Sequence, residues 1–452
     1  MSLKNIFRAY DIRGIYGKDL TEETAELVGK AFGTLVGIEK TIGVGRDVRL
    51  SGTSLKQKVI DGLISVGCNV IDFDMVTTPM LSISVRNEKI DGAVMVTASH
   101  NPAEWNGFIL IDKHGHFCSE GMGMEKIREI FVNGEFARST GYGNVRKKNA
   151  LNGYQDLILG KVRTMKRLRV VVDPGNGSAS LIAKRIFEKA GCEVISINDY
   201  PDGRFAARPP DVTEDALGAL REKVLEVKAD FGVGFDCDAD RAAFIDEKGR
   251  YVGSGNITIA LFADYYLERN PGAKIVFDVA CSSAVEEFVR SKGGIPLVNR
   301  VGHAFIINRM IEEKAIFGGE YSNHLYFSEI YGFDDAIFAG LKMAEIITTE
   351  DRKLSELVDE VPKYYSKVEE IACSDEIKFK VIESVKQRVS RDGYNILALD
   401  GVKVYSDEGS FLIRASNTTP MVKLNVEAKT EESLEKLFSL GKQIIQEEVI
   451  KI

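Results

Sequence analysis

Three stretches of the chain repeat one order of apolar and polar positions, and they cover residues 41–73, 168–198 and 273–299. Each begins with a β-branched run, passes an aspartate and a small polar loop, and continues as an amphipathic pattern that ends at glycine. A second β-branched run follows. This order predicts a strand, a helix and a second, parallel strand joined by a right-handed crossover. Three copies with matched landmarks predict three similar α/β domains, and the matched aspartates are Asp47, Asp173 and Asp278.

A polar loop follows a further apolar run in every copy. The loops are TASHNP at 97–102, DCDADR at 236–241 and GGEYSNH at 318–324. Ligands bind beyond the carboxyl ends of the strands in parallel sheets. We therefore expect the three loops at equivalent places on three related sheets, where they converge on one cleft if the domains face one another.

The last part of the chain has a different pattern. Residues 379–390 have the period of a helix, residues 401–430 alternate like antiparallel strands, and residues 431–452 have the pattern of a closing helix. The fold class predicted is α/β, with mixed sheets in three similar domains and an α+β domain at the C-terminus. Because 452 residues are too many for one core, we predict four domains, at 1–145, 153–247, 248–360 and 365–452.

The composition is that of an ordinary globular protein, with 44% hydrophobic and 28% charged residues and a formal net charge of -8. This charge disfavours general binding to nucleic acid or to an anionic membrane. No apolar run reaches the ~18 residues of a membrane span, and the first residues lack the apolar core of a signal peptide. The cysteines include no C-x-x-C pair, which indicates reduced thiols and a cytoplasmic protein. We expect a monomer or a weak homo-oligomer.

Asp236, Asp238 and Asp240 alternate along the chain, so an extended backbone would place all three carboxylates on one side. Crowded negative charges need a cation, and hard oxygen ligands favour Mg²⁺ or Ca²⁺. An EF-hand is one alternative, since Glu247 falls at its twelfth position. However, Arg241 occupies the sixth position, where glycine makes the turn, and the preceding residues have a strand pattern. A solvated acidic turn is the other alternative to a Mg²⁺ site with three carboxylates.

Two further polar segments suit a sugar phosphate. In RASNTTP at 414–420, Arg414 can form two hydrogen bonds to a phosphate, and hydroxyl and amide donors follow it. In GGEYSNH, Glu320, Ser322 and His324 are spaced two apart and would share one face of a strand, where they suit sugar hydroxyls. A Ser/Thr-rich hairpin loop and a polar edge strand are the respective structural alternatives.

Ser99 stands in TASHNP, where a polar turn is the plain interpretation. A free serine is a poor nucleophile without a base, and Ser99 lacks the G-x-S-x-G elbow of hydrolases. A serine that is itself phosphorylated needs no such elbow, and its phosphate would complete the coordination of Mg²⁺. Together, the serine, the acidic loop, the phosphate-like loop and the sugar-like face predict phosphoryl transfer on a sugar phosphate.

The ordered set of motifs resembles the α-D-phosphohexomutase family, and in particular its phosphomannomutase/phosphoglucomutase branch. The resemblance runs nearly end to end and rests on FRAYDIRG (7–14), GRDVRLSG (45–52), TASHNP, PDGRFAARPP (201–210), DCDADR, RVGHAFI (300–306), GGEYSNH and RASNTTP. It implies a heart-shaped protein of four domains that interconverts hexose 1-phosphate and hexose 6-phosphate, with mannose, glucose or both as the sugar.

The resemblance also implies a role for each motif residue. Ser99 would be the phosphoserine, with Arg13 and His100 at the reaction centre. Mg²⁺ would be held by Ser99 together with Asp236, Asp238 and Asp240. The substrate would be bound by Tyr10, Arg241, His303, Glu320, Ser322, His324, Arg414, Ser416, Asn417 and Thr418. Hexose 1,6-bisphosphate would be both the intermediate, which turns around in the cleft, and the activator.

The chain departs from the family pattern at cationic positions. Ile109 stands where the family has a lysine, Ala280 stands where it has another, and Ser283 lies near the place of an arginine. Arg13 is the expected substitute for the positive charge. Two functions therefore stay open, an active hexose phosphomutase and a divergent paralogue that binds sugar phosphates with weak or no turnover. A phosphatase, in which water intercepts the phosphoserine, is a third idea, and four domains closing on the site argue against it.

Overall fold

A computed structural model describes residues 6–163, 167–374, 376–415 and 421–451. The chain divides into two compact units. The first unit joins Met1–Ser254 to Ser322–Val358, and the second joins Gly255–Tyr321 to Asp359–Ile452.

The described residues form strands and helices in the order that an α/β chain requires. The strands are β1 (Ile12–Ile15), β2 (Thr41–Arg46), β3 (Asn69–Met75), β4 (Gly92–Val96), β5 (Trp105–Asp112), β6 (Val145–Lys147), β7 (Arg169–Asp173), β8 (Glu193–Ser196), β9 (Phe231–Phe235), β10 (Ala242–Asp246), β11 (Tyr251–Val252), β12 (Lys274–Asp278), β13 (Ile295–Asn299), β14 (Phe317–Gly319), β15 (Leu325–Phe327), β16 (Phe333–Asp334), β17 (Tyr365–Ala372), β18 (Asn395–Leu397), β19 (Val402–Tyr405), β20 (Gly409–Ala415) and β21 (Met421–Ala428).

Most of the helices lie between these strands along the chain, and the last helix follows β21. They are α1 (Glu22–Val36), α2 (Gly52–Ser65), α3 (Thr78–Glu88), α4 (Met124–Asn133), α5 (Leu151–Leu159), α6 (Ala183–Lys189), α7 (Gly218–Val227), α8 (Gly255–Arg269), α9 (Ser283–Ser291), α10 (His303–Glu313), α11 (Ala336–Glu350), α12 (Leu354–Asp359), α13 (Lys378–Arg391) and α14 (Glu431–Ile450).

Two mixed sheets lie in the first unit. One has the order β1-β5-β4-β2-β3-β6, in which β2 runs parallel to β3, β4 is parallel to β2, and β5 is antiparallel to β4. The other has the order β11-β10-β9-β7-β8, in which β7 runs parallel to β8 and β9, and β10 is antiparallel to β9. The predicted strand–helix–strand repeats at 41–73 and 168–198 are therefore confirmed, as are the mixed sheets.

The second unit contains the third repeat and the C-terminal sheet. Strand β12 runs parallel to β13 and to β14. The C-terminal sheet has the order β17-β21-β20-β19-β18 with antiparallel pairs throughout, and α13 and α14 pack against it. The predicted α+β character of the last segment is confirmed. The bounds of the four domains stay a prediction.

The three matched aspartates make the same backbone turn. Each follows or ends the first strand of its copy, and its Oδ1 accepts a hydrogen bond from the backbone N–H two residues further on. The pairs are Arg49 to Asp47 at 2.9 Å, Gly175 to Asp173 at 2.9 Å, and Ala280 to Asp278 at 2.7 Å. A short polar side chain that binds its own backbone in this way fixes the direction of the following loop. The helix of each copy then ends at a glycine with positive φ, at Gly67, Gly191 and Gly293.

All six cysteines are free and buried. Among the described residues, no helix has both the length and the apolar character needed to cross a membrane.

Helices α1 and α2 approach closely because a glycine of each faces the backbone of the other. A Cβ atom at Gly62 would lie 2.2 Å from the carbonyl oxygen of Glu26, and one at Gly29 would lie 2.3 Å from that of Val59. Such a contact forces the helices apart, and overpacking of this kind costs about 1–3 kcal/mol.

We expect Gly62→Ala to lower the melting temperature by about 5 °C, since the helices must separate. Gly218→Ala is the matched control, because no atom lies within 4 Å of the added Cβ at the start of α7. Differential scanning calorimetry of both variants tests this. A Gly62→Ala protein that melts at the wild-type temperature would contradict the close approach.

Candidate active site

Ser99 lies in the loop that follows β4 and is 3% exposed. Its φ of 47° is in the left-handed region, and its backbone N–H donates to Oγ1 of Thr97 at 2.9 Å. Its Oγ lies 3.0 Å from Oδ2 of Asp236 and 3.3 Å from Nδ1 of His100. A buried hydroxyl in a strained backbone, held against a carboxylate, is not an ordinary solvated turn.

Arg49 holds this serine loop in place. Its side chain is fully buried, and its guanidinium donates to the carbonyl oxygens of Ser99 and Asn101 at 2.6 Å, of Pro102 at 2.6 Å and of Trp105 at 2.9 Å. Four carbonyls of one loop therefore converge on one planar cation. No other side chain offers so many donors in a fixed plane.

Asp47 connects the serine loop to the acidic loop. Its Oδ2 accepts hydrogen bonds from Nε of Arg49 at 3.0 Å, from Oγ1 of Thr97 at 2.8 Å and from Sγ of Cys237 at 3.2 Å. Cys237 stands between two of the acidic residues, so one buried carboxylate binds both loops. Sequence reasoning treated Asp47 only as a landmark of the repeat and assigned no role to Arg49, although both stand in the motif GRDVRLSG.

The acidic loop connects β9 to β10 as a turn, with Ala239 at φ 60°. The prediction of an extended backbone at Asp236, Asp238 and Asp240 is therefore wrong. Their carboxylate oxygens nevertheless lie within 4.8 Å of one another, because the turn folds the three side chains inward.

The EF-hand alternative is excluded by the structure. Strand β9 precedes the loop where an EF-hand has a helix. The carboxylate of Glu247 accepts hydrogen bonds from the backbone N–H and the hydroxyl of Ser355, so it is occupied elsewhere.

Arg208 supports the acidic loop from its other side. Its Nε donates to Oδ2 of Asp173 at 2.9 Å, and its Nη2 donates to the carbonyl of Phe235 at 2.7 Å. Phe235 is the last residue of β9 and immediately precedes Asp236. A buried aspartate–arginine pair therefore stands behind the acidic loop, as Asp47 and Arg49 stand behind the serine loop.

The acidic cluster fits a divalent cation. All three aspartates are buried, and among the described residues Oδ1 of Asp238 and Oδ1 of Asp240 have no hydrogen-bond partner. Burial and then the charge of Asp236 raise the pKa of Asp238 to about 7. Burial and then the charges of Asp236 and Asp238 raise the pKa of Asp240 well above its usual value. A hard cation with oxygen ligands would relieve this repulsion, and Mg²⁺ suits three carboxylates that leave positions open.

Hydroxyl groups orient the middle ligand of the cluster. Oδ2 of Asp238 accepts from Oγ1 of Thr78 at 2.6 Å and from Oγ1 of Thr97 at 3.2 Å. Thr78 is the first residue of α3, and its backbone N–H also donates to the carbonyl of Asp238 at 3.0 Å. These bonds leave Oδ1 of Asp238 for a metal ion.

Two arginines place positive charge beside the serine. Arg13 donates to Oδ1 of Asn101 at 2.5 Å and to Oδ2 of Asp11 at 2.6 Å. The backbone N–H of Arg241 donates to Oδ1 of Asp236 at 3.2 Å, and Arg241 contacts His324 through its side chain. The charge of Arg241, then burial and the charge of Arg13, lower the pKa of His100 to about 2.

His324 is held as a neutral imidazole. Nε of Arg241 lies 2.9 Å from its Nε2, and a guanidinium can only donate, so Nε2 accepts. Nδ1 then carries the proton and donates to Oδ2 of Asp334 at 2.8 Å. Burial and the charge of Arg241 lower the pKa of His324 well below its usual value. Asp334, which sequence reasoning missed, fixes the tautomer.

Tyr10 and Ser322 also belong to the first unit. Tyr10 is half-buried and precedes β1, and Ser322 is half-buried in a turn. The backbone turns at 321–323, with Asn323 at φ 71°, so the strand face that GGEYSNH predicted does not form.

The first unit therefore contains most of the predicted reaction centre. The structure brings together around one point Arg13, Ser99, His100, Arg241, His324 and the three aspartates.

The other predicted substrate residues lie in the second unit. Glu320 is 2% exposed, and its Oε1 accepts from the backbone N–H of Gly302 at 2.7 Å, directly before His303 at the start of α10. Arg414 lies near the C-terminal end of β20, with Nη2 3.5 Å from Oδ2 of Asp400. Ser416, Asn417 and Thr418 lie outside the described residues.

A buried hydroxyl against three carboxylates that fit a divalent cation, flanked by guanidinium groups, has the arrangement of a phosphoryl-transfer enzyme. Family models for phosphoglucomutase/phosphomannomutase match the chain along nearly its whole length. The α/β/α domains I, II and III match residues 4–138, 152–249 and 254–365, and the C-terminal domain matches residues 347–439.

Proteins similar to this chain carry the names of the same family. A phosphoglucomutase/phosphomannomutase of Thermococcus kodakarensis is 35% identical over 98% of each chain, and a phosphomannomutase/phosphoglucomutase of Pseudomonas aeruginosa is 37% identical over 96% of this chain and 94% of that protein. A solved family protein of Burkholderia thailandensis superposes with a TM-score of 0.90 at 31% identity, covering 99% of this chain and 98% of the other. The chain belongs to the phosphoglucomutase/phosphomannomutase family, which confirms the resemblance drawn from its motifs.

Arg49→Lys tests the support of the serine loop. An ammonium offers three donors where the guanidinium makes five hydrogen bonds, so buried carbonyls lose their partners. We expect the rate of hexose phosphate interconversion to fall about a hundredfold, because misplacement by about 1 Å has that effect. Arg221→Lys, an exposed pair with Glu214, is the control. An Arg49→Lys enzyme with the wild-type rate would refute the role.

Asp240→Asn tests the cation site. Removing one of three buried like charges should raise the melting temperature of the metal-free protein and weaken Mg²⁺ binding by more than about tenfold. Thermal melting and isothermal titration calorimetry measure the two effects, with exposed Asp199→Asn as control. Mg²⁺ binding that is unchanged in Asp240→Asn would exclude this site.

Proposed function

We propose that this protein interconverts hexose 1-phosphates and hexose 6-phosphates through a phosphoserine at Ser99 and a hexose 1,6-bisphosphate intermediate. The chain is a hexose phosphate mutase, as its family and its relatives of 35–37% identity are named. The observation that carries the serine route is the 3.0 Å contact between Oγ of Ser99 and Oδ2 of Asp236, inside a cluster built for a cation.

Each side chain around Ser99 has a part in the proposal. Asp236, Asp238 and Asp240 would hold Mg²⁺ with an oxygen on Ser99. When bound, Mg²⁺ would neutralise charge that develops on the transferring phosphoryl group. In the forward transfer, the bond from Oγ of Ser99 to phosphorus breaks while a sugar hydroxyl oxygen forms the new bond to phosphorus. The proton of that sugar hydroxyl ends on Oγ of Ser99, so the serine leaves as a neutral hydroxyl.

Arginine side chains of this protein supply positive charge for the transferring phosphoryl group. Arg13 and Arg241 flank the serine loop. The rings of His100 and His324 are neutral, so the positive charge beside Ser99 comes from these two arginines. Arg13 would replace the lysine that is absent at Ile109, a residue only 2% exposed on β5. Substrate hydroxyls and the phosphate that is not transferred would meet Tyr10, His303, Glu320, Ser322 and Arg414.

The divergent paralogue with weak turnover is not favoured. The chain matches named mutases over almost its full length, and Ser99 with all three aspartates is retained in a formed site. The phosphatase idea gains no support from the comparisons.

Finer points of the proposal follow the family resemblance. Hexose 1,6-bisphosphate is proposed as activator, and sugar phosphates of mannose and glucose are proposed as substrates because relatives carry both names. A monomer or weak homo-oligomer in the cytoplasm remains the prediction drawn from sequence.

Ser99→Ala is the direct test of the serine route. With Mg²⁺ and glucose 1,6-bisphosphate, the wild-type protein should convert the 1-phosphates of mannose or glucose to the 6-phosphates, and Ser99→Ala should fall to the assay background while it still binds glucose 6-phosphate. Mass spectrometry should find one phosphate on the Ser99 peptide of the wild type only. The exposed Ser390→Ala variant is the control. Full turnover by Ser99→Ala would refute the phosphoserine.

A further inference from the structure

A cavity of about 330 Å³ in the second unit joins the loop after β12 to the C-terminal sheet. Its walls carry more positive than negative charge. The charged residues that line it are Lys403, Arg414, Lys423 and Glu427. Ala280, Cys281 and Ser282 form the side that belongs to the third repeat.

Lys403 is the buried cation of this cavity. It stands on β19, between β18 and β20, and is 4% exposed. Its Nζ donates to the carbonyl of Cys281 at 2.7 Å and lies 3.5 Å from that of Val279. An ammonium has three N–H donors, so these two carbonyls leave at least one donor for another acceptor.

The charge of Lys403 is only partly compensated within the described residues. The carboxylate paired with it is that of Glu427, whose Oε1 lies 3.9 Å from Nζ, beyond hydrogen-bond distance. That same Oε1 accepts from the backbone N–H of Ser283 at 2.6 Å and from Oγ of Ser410 at 2.7 Å. The carboxylate of Glu427 therefore accepts hydrogen bonds at the N-terminus of α9, where the helix dipole favours a negative charge, and it does not bond directly to Lys403.

Arg414 is a second cation that lines the same cavity, and it has a hydrogen-bond donor to spare among the described residues. Among the described residues its Nε has no hydrogen-bond partner, and its nearest carboxylate contact, with Asp400, is 3.5 Å long. By contrast, Lys423 is paired with Glu370 at 2.6 Å. A buried ammonium and a guanidinium facing one space call for a compact anion with several acceptor oxygens, which describes a phosphate group.

We propose that Lys403 is a further substrate-binding residue, whose ammonium binds the phosphate that is not being transferred, together with Arg414. This rests on the proposed function for the identity of the substrate, but the binding itself is independent of turnover. Ala280 lines the same cavity with only a methyl group, so the space beside Cys281 is filled by the lysine of β19. The positive charge of this site therefore comes from the C-terminal sheet.

The experiment is isothermal titration calorimetry of the full chain with glucose 6-phosphate. Loss of a hydrogen bond to a charged group should weaken binding about 10- to 100-fold in Lys403→Met. Lys403→Arg should bind nearly as the wild type, because it keeps the charge and the donors. Lys367→Met removes one positive charge outside the cavity, from an exposed pair with Glu435, and should bind as the wild type.

A double variant separates charge from structural support. Lys403→Met with Ala280→Lys puts an ammonium back into the cavity from the opposite wall and should recover most of the affinity. Unchanged affinity in Lys403→Met overturns the proposal. So does a loss that neither Lys403→Arg nor the double variant relieves, since the lysine then only ties the loop to the sheet. Melting curves identify any variant that fails to fold. If Lys403→Met does not fold, the affinity of Lys403→Arg for glucose 6-phosphate decides whether the proposal holds. A protein that binds glucose 6-phosphate through Lys403 but shows no turnover would contradict the proposed function alone.

Discussion

Three carboxylates buried against one another are the constraint on which the site depends. Asp236, Asp238 and Asp240 are each at most 2% exposed, and their mutual repulsion must be opposed by the surrounding structure. Two buried aspartate–arginine pairs hold the backbone around this cluster, Asp47 with Arg49 behind the serine loop and Asp173 with Arg208 behind the acidic loop. Removing one partner of such a pair leaves an uncompensated buried charge and costs about 3–5 kcal/mol, so each loop depends on both members of its pair.

The repeated architecture explains why the two loops can be held in the same way. Each aspartate belongs to the first strand of its copy or follows it directly, and each makes the same turn with the backbone two residues further on. In the first copy a guanidinium then binds carbonyls of the serine loop, and in the second copy a guanidinium binds the carbonyl of Phe235, directly before the acidic loop. In the third copy Asp278 makes the turn and also accepts from the backbone N–H of Tyr321 at 2.9 Å. The same local turn therefore recurs on three sheets.

Much of the fold was predictable because its signals are local. Apolar periodicity and the glycines after each helix identified the strand–helix–strand units, and alternation identified the C-terminal sheet. The alternation of aspartates at 236–240 was misleading, since the left-handed residue Ala239 makes a turn where a strand was expected. Arg49 and Thr78 were missed because their value comes from partners distant along the chain, as with Thr78 and Asp238, which are 160 residues apart. Asp334 lies only 10 residues from His324, but no motif of the sequence marks it as the partner of that ring. Burial and partner geometry, rather than residue type, define their roles.

The most direct measurement is a crystal structure of the phosphorylated protein grown with Mg²⁺. We predict one ion about 2.0–2.1 Å from a carboxylate oxygen of Asp236, Asp238 and Asp240, with an oxygen of phosphorylated Ser99 in the same coordination shell. The guanidinium of Arg49 should keep its bonds to the serine loop. A Mg²⁺ ion bound elsewhere, or a phosphate on a residue other than Ser99, would contradict this prediction.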